Sequence, residues 1–364
     1  MLKSSYVIPE LPPPVELETV RVYKALTAAS RALADLKGQA KTIPNQGILI
    51  DTLALQEAKA SSEVENIVTT QDEIFQADLF PDDPQSPAAK EVALYRDAVR
   101  LGFRKLNETG GLIPNSVLVD MFRLLKGRSD GFRIVAGTAL KNEATGETVF
   151  IPPQDSREIV NHMAALERFV NDDERSRLDP LIKMALIHHQ FESIHPFPDG
   201  NGRIGRILNV LYLTKTGLLE IPILYLSRHI TRNKTAYYRL LQSVRDGGTW
   251  EDWVVFMLEA VAETSVTTVR LVEGIREQMA SVKHRMRAGL PKLYSQDLLN
   301  NLFRHPYTRI EYVQNDLEIT RQTAAKYLDT LAEHGFVEKH QAGRNNYYVN
   351  TDLVRLFLDV SGGR

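Results

Sequence analysis

The sequence contains no cysteine among its 364 residues. That absence excludes disulfide bonds, thiolate nucleophiles and cysteine-ligated zinc, and it suits a reducing compartment. No uninterrupted apolar run reaches the ~20 residues that a membrane-spanning helix needs, and the proline-rich N-terminus lacks the apolar segment of a secretory signal. We therefore expect a cytoplasmic protein that does not contact a membrane.

Net charge is also nearly absent, because 44 Lys and Arg residues are balanced by 46 Asp and Glu residues, which leaves a formal charge of −2. A nucleic-acid or membrane-binding surface over the whole chain would need a large positive excess, so any such surface must be local. At ~100–200 residues per domain, the length predicts two or three domains with a substantial hydrophobic core.

Apolar residues with a helical period are abundant, and they predict a mostly α protein. A proline-rich arm, Tyr6 to Val15, is followed by predicted helices at about 17–38, from near 46, and after Ser61. Further helices are predicted at about 88–106, 115–125, 156–171, 180–191, 204–214, 233–245 and 250–287.

A β-type stretch interrupts the helices. Phe132, Ile134 and Val135 predict one strand, and Thr148 to Ile151 predict a second. Residues 142–146 between them have the composition of a turn. The sequence therefore predicts a β-hairpin that ends at the prolines of positions 152 and 153.

A domain boundary is predicted near Gly289, which divides the chain into an N-terminal helical region (1–87), a central domain (88–288) and a C-terminal domain (289–364). Three predicted helices followed by a strand pair make the last domain resemble a winged helix-turn-helix. Its basic residues could contact DNA phosphates: Arg321, Lys326, Lys339 and Arg344. Acidic residues dilute this patch, and winged helices also dock proteins, so both partners stay open.

The segment 195–206, His-Pro-Phe-Pro-Asp-Gly-Asn-Gly-Arg-Ile-Gly-Arg, combines a histidine, a carboxylate and two arginines with a glycine-rich turn. The turn comes directly before a predicted helix, whose unpaired N–H groups and positive dipole end attract anions. Arg203 and Arg206 lie three residues apart, so their guanidinium groups can hold two phosphates. Asp199 offers a hard oxygen ligand for Mg²⁺, and His195 can accept a hydroxyl proton near neutral pH.

This segment resembles the signature of the Fic family, H-x-F-x-[DE]-G-N-G-R-x-x-R. All eight specified positions match: His195, Phe197, Asp199, Gly200, Asn201, Gly202, Arg203 and Arg206. The resemblance covers roughly residues 88–261 and implies a Fic-type helical core. It also implies that the hairpin is a flap, which would dock a target segment by strand addition.

The resemblance implies a protein adenylyltransferase. His195 would deprotonate a Ser, Thr or Tyr hydroxyl of a target protein, and that oxygen would attack the α-phosphorus of ATP while pyrophosphate leaves. The implied ATP-binding residues are Gly200, Asn201, Gly202, Arg203, Ile204, Gly205, Arg206, Tyr237 and Tyr238. Core packing is the alternative for the two tyrosines, which correspond to a family pair near the adenine.

Ser61, Glu65 and Asn66 match the inhibitory motif of the family, [ST]-x-x-x-E-[GN]. The resemblance implies an inhibitory helix near 61–68 whose Glu65 pairs with Arg206 and blocks the γ-phosphate. A capping box, with Ser62 as N-cap and Glu65 three residues later, is the alternative. Self-modification is a further implied activity, and family members often form homodimers.

Two other functions stay open at this point. One is transfer of a different phosphate-containing group on the same scaffold. The other is a DNA-binding regulator whose Fic portion senses nucleotide without catalysis.

Overall fold

The computed structural model describes residues 6–70, 73–74, 86–141, 145–342 and 345–362. The first seven helices of this part are α1 (Val20–Ala40), α2 (Gly47–Val64), α3 (Pro87–Glu108), α4 (Asn115–Lys126), α5 (Ser156–Asn171), α6 (Pro180–Ile194) and α7 (Asn201–Lys215). The remaining helices are α8 (Ser227–Arg232), α9 (Lys234–Gly247), α10 (Trp250–Gly289), α11 (Gln296–Arg304), α12 (Ile310–Leu317), α13 (Arg321–Glu333) and α14 (Thr351–Gly362). The strands are β1 (Leu140–Lys141), β2 (Thr148–Phe150), β3 (Tyr307–Thr308), β4 (Glu338–Ala342) and β5 (Asn345–Val349). The protein is therefore mostly α, as predicted.

Helices α6 and α7 lie at the centre of the core. Asp179 caps α6 by accepting from the Leu181 N–H, and Pro180 occupies the first turn, where no N–H is needed. Every residue from Leu181 to Ile194 is buried, including the polar side chains of its second half, so the helix is surrounded by the protein on all sides. Helices α3, α4, α5 and α10 pack around this pair. The loop between α6 and α7 is consequently held by the most buried part of the molecule.

The end of α2 differs from the prediction. The prediction of a separate helix after Ser61 is wrong, because α2 runs without a break from Gly47 to Val64. Asn66 adopts a left-handed conformation, with φ of 60°, and the Ile67 N–H bonds to the Ser62 carbonyl, which terminates the helix. Ser62 is thus near the C-terminus of a helix, and the capping-box alternative is wrong.

The first strand of the hairpin also differs from the prediction. Residues 132–135 form no strand, whereas Leu140 pairs with Phe150 and Lys141 with Thr148. Arg133 is buried, and its backbone N–H bonds to the Pro196 carbonyl at 2.8 Å. Tertiary contacts of this arginine therefore determine the path of a segment whose β-type composition predicted a strand. The turn predicted at 142–146 falls partly outside the described residues.

The C-terminal segment follows α10, which ends at Gly289, where a boundary was predicted. It contains three helices and then two strands, in the predicted order, and adds β3 and α14. The strands form one antiparallel sheet in the order β3-β5-β4. The identification of this segment as a winged helix stays a prediction, as do the domain limits.

Helix α2 is attached to this C-terminal segment by an ionic contact. Asp51 on α2 accepts from Arg304 Nε on α11 at 2.7 Å and from Arg100 on α3 at 2.5 Å. The carboxylate is buried, while both arginines are partly exposed. The contact fixes α2 between two neighbours at the end remote from Ser61.

Within the part of the chain that the structure describes, no helix has the length and apolar character to span a membrane.

Candidate active site

The loop between α6 and α7 has a rigid internal structure. Asn201 bonds in both directions to Phe197, from the Phe197 N–H to Oδ1 and from Nδ2 to the Phe197 carbonyl, each at 2.8 Å. Phe197 is buried and stacks on Phe122, with the ring centroids 4.4 Å apart. Asn201 therefore supports the loop, as predicted, and its contact with ATP stays a prediction.

His195 ends α6 in a left-handed conformation, with φ of 50°. Arg133 holds its backbone, because Arg133 Nε donates to the His195 carbonyl at 2.8 Å. Burial, together with the nearby charges of Arg133 and Arg245, lowers the pKa of His195 to about 3. The imidazole is consequently neutral at physiological pH, the form that can accept a proton.

A second buried arginine connects the hairpin to the end of α6. The Arg245 guanidinium lies 3.9 Å from the centroid of the Phe150 ring on β2, and its Nε donates to Ser193 Oγ at 3.1 Å. The hairpin is thereby held beside His195. The side chains of Ile134 (81% exposed) and Val135, which follow Arg133 in the chain, are exposed to solvent.

Arg206 is buried and bound by the end of α2. Its Nη2 donates to Glu65 Oε1 and to the Ser61 carbonyl, and its Nε donates to Ser61 Oγ, all at 2.9 Å. Burial opposes the charge of Arg206, yet the Glu65 carboxylate holds its pKa above the ordinary value. The structure thus brings Glu65 and Arg206 together, as the motif predicted.

Glu65 also covers the first turn of α7. A Cβ atom added at Gly202 would overlap Glu65 Oε1 and would lie 2.9 Å from Arg206 Nη1. Only a residue without a side chain leaves room for a carboxylate oxygen at this point. The carboxylate therefore lies against the first turn of α7, next to the helix N-terminus where the sequence predicts an anion.

Two more carboxylates are buried near Arg206. Glu57 accepts from Ser227 Oγ and from the Tyr95 hydroxyl, and Glu192 lies against Gly205. Burial raises the pKa of Glu57 and of Glu192 to about 7 in each case. Glu65 is the carboxylate that contacts the Arg206 guanidinium directly, at 2.9 Å.

Arg203 belongs to a separate group of charges, which we call the charge cluster: Glu91, Lys126, Asp199 and Arg203. Arg203 is 2% exposed and pairs with Glu91 Oε1. Lys126 Nζ lies 2.8 Å from Glu91 Oε1 and 2.6 Å from Asp199 Oδ2. Arg203 uses Nη1 to hold Glu91, and the other N–H donors of the guanidinium are not needed for that pair, so the phosphate contact of Arg203 stays a prediction.

Asp199 is suited to a metal that is held mainly by other ligands. Its side chain is 59% exposed, and Oδ1 accepts from the Gly200 N–H at 2.6 Å. Among the residues that the structure describes, no group of three or more His, Asp and Glu side chains could bind a metal by itself. Mg²⁺ is commonly held by one or two carboxylates together with substrate phosphates, and Asp199 fits that pattern.

The remaining predicted ligand residues lie mostly in the core. Tyr237 is 2% exposed, and its hydroxyl bonds to His188 Nε2 at 2.8 Å, so its ring has no free face for a base. Ile204 is buried, and Gly205 packs against α6. Tyr237, Ile204 and Gly205 are therefore packed in the core around α7, and their contact with ATP stays a prediction. Tyr238, at 44% exposed, is the accessible member of the pair.

Several residues of the site were not found from the sequence. Glu91, Lys126, Arg133 and Arg245 belong to no motif and stand far from the segment 195–206 in the chain. Glu192 had a usable signal, because it directly follows Phe191 and stands three residues before His195 of the signature. A carboxylate that is buried at this point must be close to positive charge.

Three family profiles match the chain. The profile described as "Fic/DOC family N-terminal" matches residues 23–104, and that described as "Fic/DOC family" matches residues 118–213. A third, "Protein adenylyltransferase SoFic-like, C-terminal domain", matches residues 278–353. The matches include the inhibitory motif, the signature loop and most of the C-terminal segment.

Similar proteins and structures agree with these profiles. A probable protein adenylyltransferase of Aquifex aeolicus is 26% identical over 200 residues, which is 54% of this chain and 57% of that protein. The protein adenylyltransferase Fic of Drosophila melanogaster is 33% identical over 85 residues, or 23% of this chain and 16% of the relative. The chain thus spans about half of the first relative's length and far less of the second's.

The fold likeness extends further than the sequence likeness. A Fic family protein from Desulfovibrio desulfuricans has a TM-score of 0.56 at 20% identity, over 93% of this chain and 98% of that one. Fic-1 from C. elegans (residues 134–508) has a TM-score of 0.53 at 19% identity, over 70% and 74%. The predicted Fic-type helical core is therefore confirmed at the level of fold.

Proposed function

Because the chain belongs to the Fic family, we propose that it is a protein adenylyltransferase, which moves AMP from ATP onto a Ser, Thr or Tyr hydroxyl of a target protein. The observation that carries the proposal is the arrangement around the start of α7. A neutral histidine, the free N–H groups of a helix N-terminus and a buried arginine lie together there, and a carboxylate already lies against the first turn of the helix. The names of the relatives support the same activity.

In the proposed reaction His195 accepts the proton of the target hydroxyl. The hydroxyl oxygen forms a bond to the α-phosphorus, the bond from that phosphorus to the bridging oxygen breaks, and pyrophosphate leaves. The N–H groups at the start of α7 and the Arg206 guanidinium stabilise the charge that develops on the phosphate oxygens. Asp199 would hold Mg²⁺, which when bound neutralises charge on the departing phosphates.

The hairpin β1–β2 supports a role in target binding. Its strands are short, the side chains of Val149 and Ile134 are exposed, and Phe150 on β2 packs against Arg245, which bonds to Ser193 near His195. A target segment that paired with the strand edge would need only backbone hydrogen bonds, whatever its sequence. Such docking would bring a hydroxyl to His195 without a specific side-chain pocket.

The proposed function is tested by labelled ATP. The Glu65→Gly variant is incubated with Mg²⁺ and with ATP labelled on either the α- or the γ-phosphate, and protein-bound label is measured. Transfer of the α-label alone is expected. Transfer of the γ-label would indicate phosphate transfer, and the absence of both, with ATP still bound, would favour nucleotide sensing.

Arg206 is proposed to hold the distal phosphates of ATP. In the Glu65→Gly background, Arg206→Ala is expected to weaken ATP binding by roughly tenfold or more, because charge-assisted hydrogen bonds to phosphate are lost. AMP has no distal phosphate, so its affinity should change little. Calorimetry of both nucleotides measures the difference, with Arg239→Ala on the exposed face of α9 as a control. Equal losses for ATP and AMP would contradict this role.

We propose that the C-terminal segment docks a protein rather than DNA. Two of its basic residues are already paired, Arg321 with Glu311 at 2.6 Å and Lys339 with Asp329 at 2.7 Å, which lowers the positive charge available to phosphates. A gel-shift titration of the full-length protein with duplex DNA tests the alternative. Binding at low salt that falls steeply as salt is added would favour DNA.

Self-modification and homodimer formation stay predictions.

A further inference from the structure

Exposure differs among the members of the charge cluster. The Arg203 side chain is 2% exposed, those of Glu91 and Lys126 are 19% and 18% exposed, and that of Asp199 is 59% exposed. Asp199 is thus the member most open to water. An ion pair that is open to water is weak and exchanges partners easily, whereas a buried pair does not. The Lys126–Asp199 pair is therefore the part of the cluster that a ligand can open.

Lys126 lies directly beside the start of α7. It is the last residue of α4, and the methylene chain of its side chain passes near Gly200, where an added Cβ would contact Lys126 Cδ at 3.5 Å. Gly200 precedes the first turn of α7. The ammonium group thus stands at the edge of the position proposed for the triphosphate.

The two oxygens of Asp199 have different partners. Oδ1 accepts from the Gly200 N–H at 2.6 Å, and Arg203 approaches the same oxygen at 3.6 Å. Lys126 lies on Oδ2, at 2.6 Å. A cation that binds to Asp199 must therefore compete with Lys126 for Oδ2.

We propose that Lys126 is a nucleotide-binding residue that takes the place of the metal on Asp199. In the metal-free site it neutralises the carboxylate, and when Mg²⁺ takes Oδ2 its ammonium group turns to a phosphate oxygen. An ammonium has three N–H donors, so Lys126 can keep its bond to Glu91 while it changes its other partner. This inference rests on the proposed function, because it needs ATP to bind at the start of α7.

A role in nucleotide binding predicts effects that a purely structural ion pair does not. Without Lys126, the Asp199 carboxylate would repel the phosphates whenever metal is absent. With metal present, the same change removes the bond from Lys126 to phosphate, but it also removes the cation that competes with Mg²⁺ for Oδ2, so the two effects oppose each other. The factor by which Mg²⁺ strengthens ATP binding should consequently rise when Lys126 is neutralised.

The experiment compares Glu65→Gly with Glu65→Gly/Lys126→Met by calorimetry, using ATP in EDTA and ATP at saturating Mg²⁺. In EDTA the double variant leaves the Asp199 carboxylate without its cation beside the phosphates, and an unfavourable charge contact of this kind is worth roughly tenfold in affinity. ATP binding in EDTA should therefore weaken by about that factor in the double variant. The ratio of the two affinities should increase by a similar factor.

Three controls separate the outcomes. Lys126→Arg keeps the charge and should keep the ratio, and Lys90→Met removes an exposed charge from α3 and should change neither affinity. If Lys126→Met lowers the thermal midpoint strongly, Lys126→Gln replaces it. Equal weakening with and without Mg²⁺, or no weakening, overturns the inference and leaves the proposed function intact. If Glu65→Gly itself binds no ATP in either condition, the result contradicts both the inference about Lys126 and the proposed function.

Discussion

Replacing His195 is expected to abolish AMP transfer while the fold and ATP binding persist. General-base catalysis by a positioned side chain typically contributes ~10²–10⁴-fold in rate, and a loss of that size is expected here. ATP binding should remain because the groups proposed to hold phosphate, the first turn of α7 and Arg206, do not include the imidazole. Transfer of α-labelled phosphate and calorimetry with ATP measure the two effects, both in the Glu65→Gly background.

The backbone at His195 determines which substitution is the better control. With φ of 50°, this position is strained for alanine, whereas asparagine adopts the left-handed region more readily. His195→Asn should therefore keep the thermal midpoint closer to that of the parent and lose transfer as completely as His195→Ala. Transfer within a few fold of the parent in the asparagine variant would show that His195 is not the base.

The parts of this site that the sequence predicts are contiguous in the chain. The loop 195–200 and the first turn of α7 are formed by residues that are neighbours in the chain, so the local sequence of glycines and charged residues determines their geometry. The pairing of Glu65 with Arg206 was available only through the motif, because 141 residues separate the two. Helical periodicity similarly predicted most helices, since each is determined by its own apolar face.

The parts that the sequence does not predict depend on contacts between distant segments. Arg133 lies among β-type residues, which predicted a strand. Its bonds to the backbone of His195 and Pro196 hold the segment in an irregular conformation instead. Lys126 meets Asp199 only because α4 packs beside the start of α7, and no local pattern marks that meeting. Tyr237 is an aromatic residue of the kind that stacks on bases. Its burial against His188 depends on how distant segments pack in the folded core, which the local sequence does not show.

Glu65→Gly is expected to raise AMP transfer, including self-modification, by about an order of magnitude or more, which is the size of typical couplings between sites. In the structure the Glu65 carboxylate holds Arg206 at 2.9 Å and lies over Gly202, so it competes with the γ-phosphate both for the guanidinium and for the start of α7. Removing the carboxylate leaves Arg206 with its Ser61 contacts and free to bind phosphate. Transfer and ATP affinity should therefore rise together.

The same substitution removes a helix-end side chain, so its effect on stability must be separated from the effect on activity. Glu63→Gly is the matched control, because Glu63 lies in the last turn of α2, pairs with Lys59 at 3.7 Å and has a similar exposure to Glu65. Glu63→Gly should lower the thermal midpoint through the poor helix propensity of glycine. Glu65→Gly, at the C-cap of α2, should lower it because the buried Arg206 loses its charged partner. Only Glu65→Gly should gain activity, and Glu65→Gln should gain it with a smaller loss of stability, since the charge is lost while the side-chain size is kept. A gain in both glycine variants would mean that loosening of α2, rather than removal of the carboxylate, releases the enzyme.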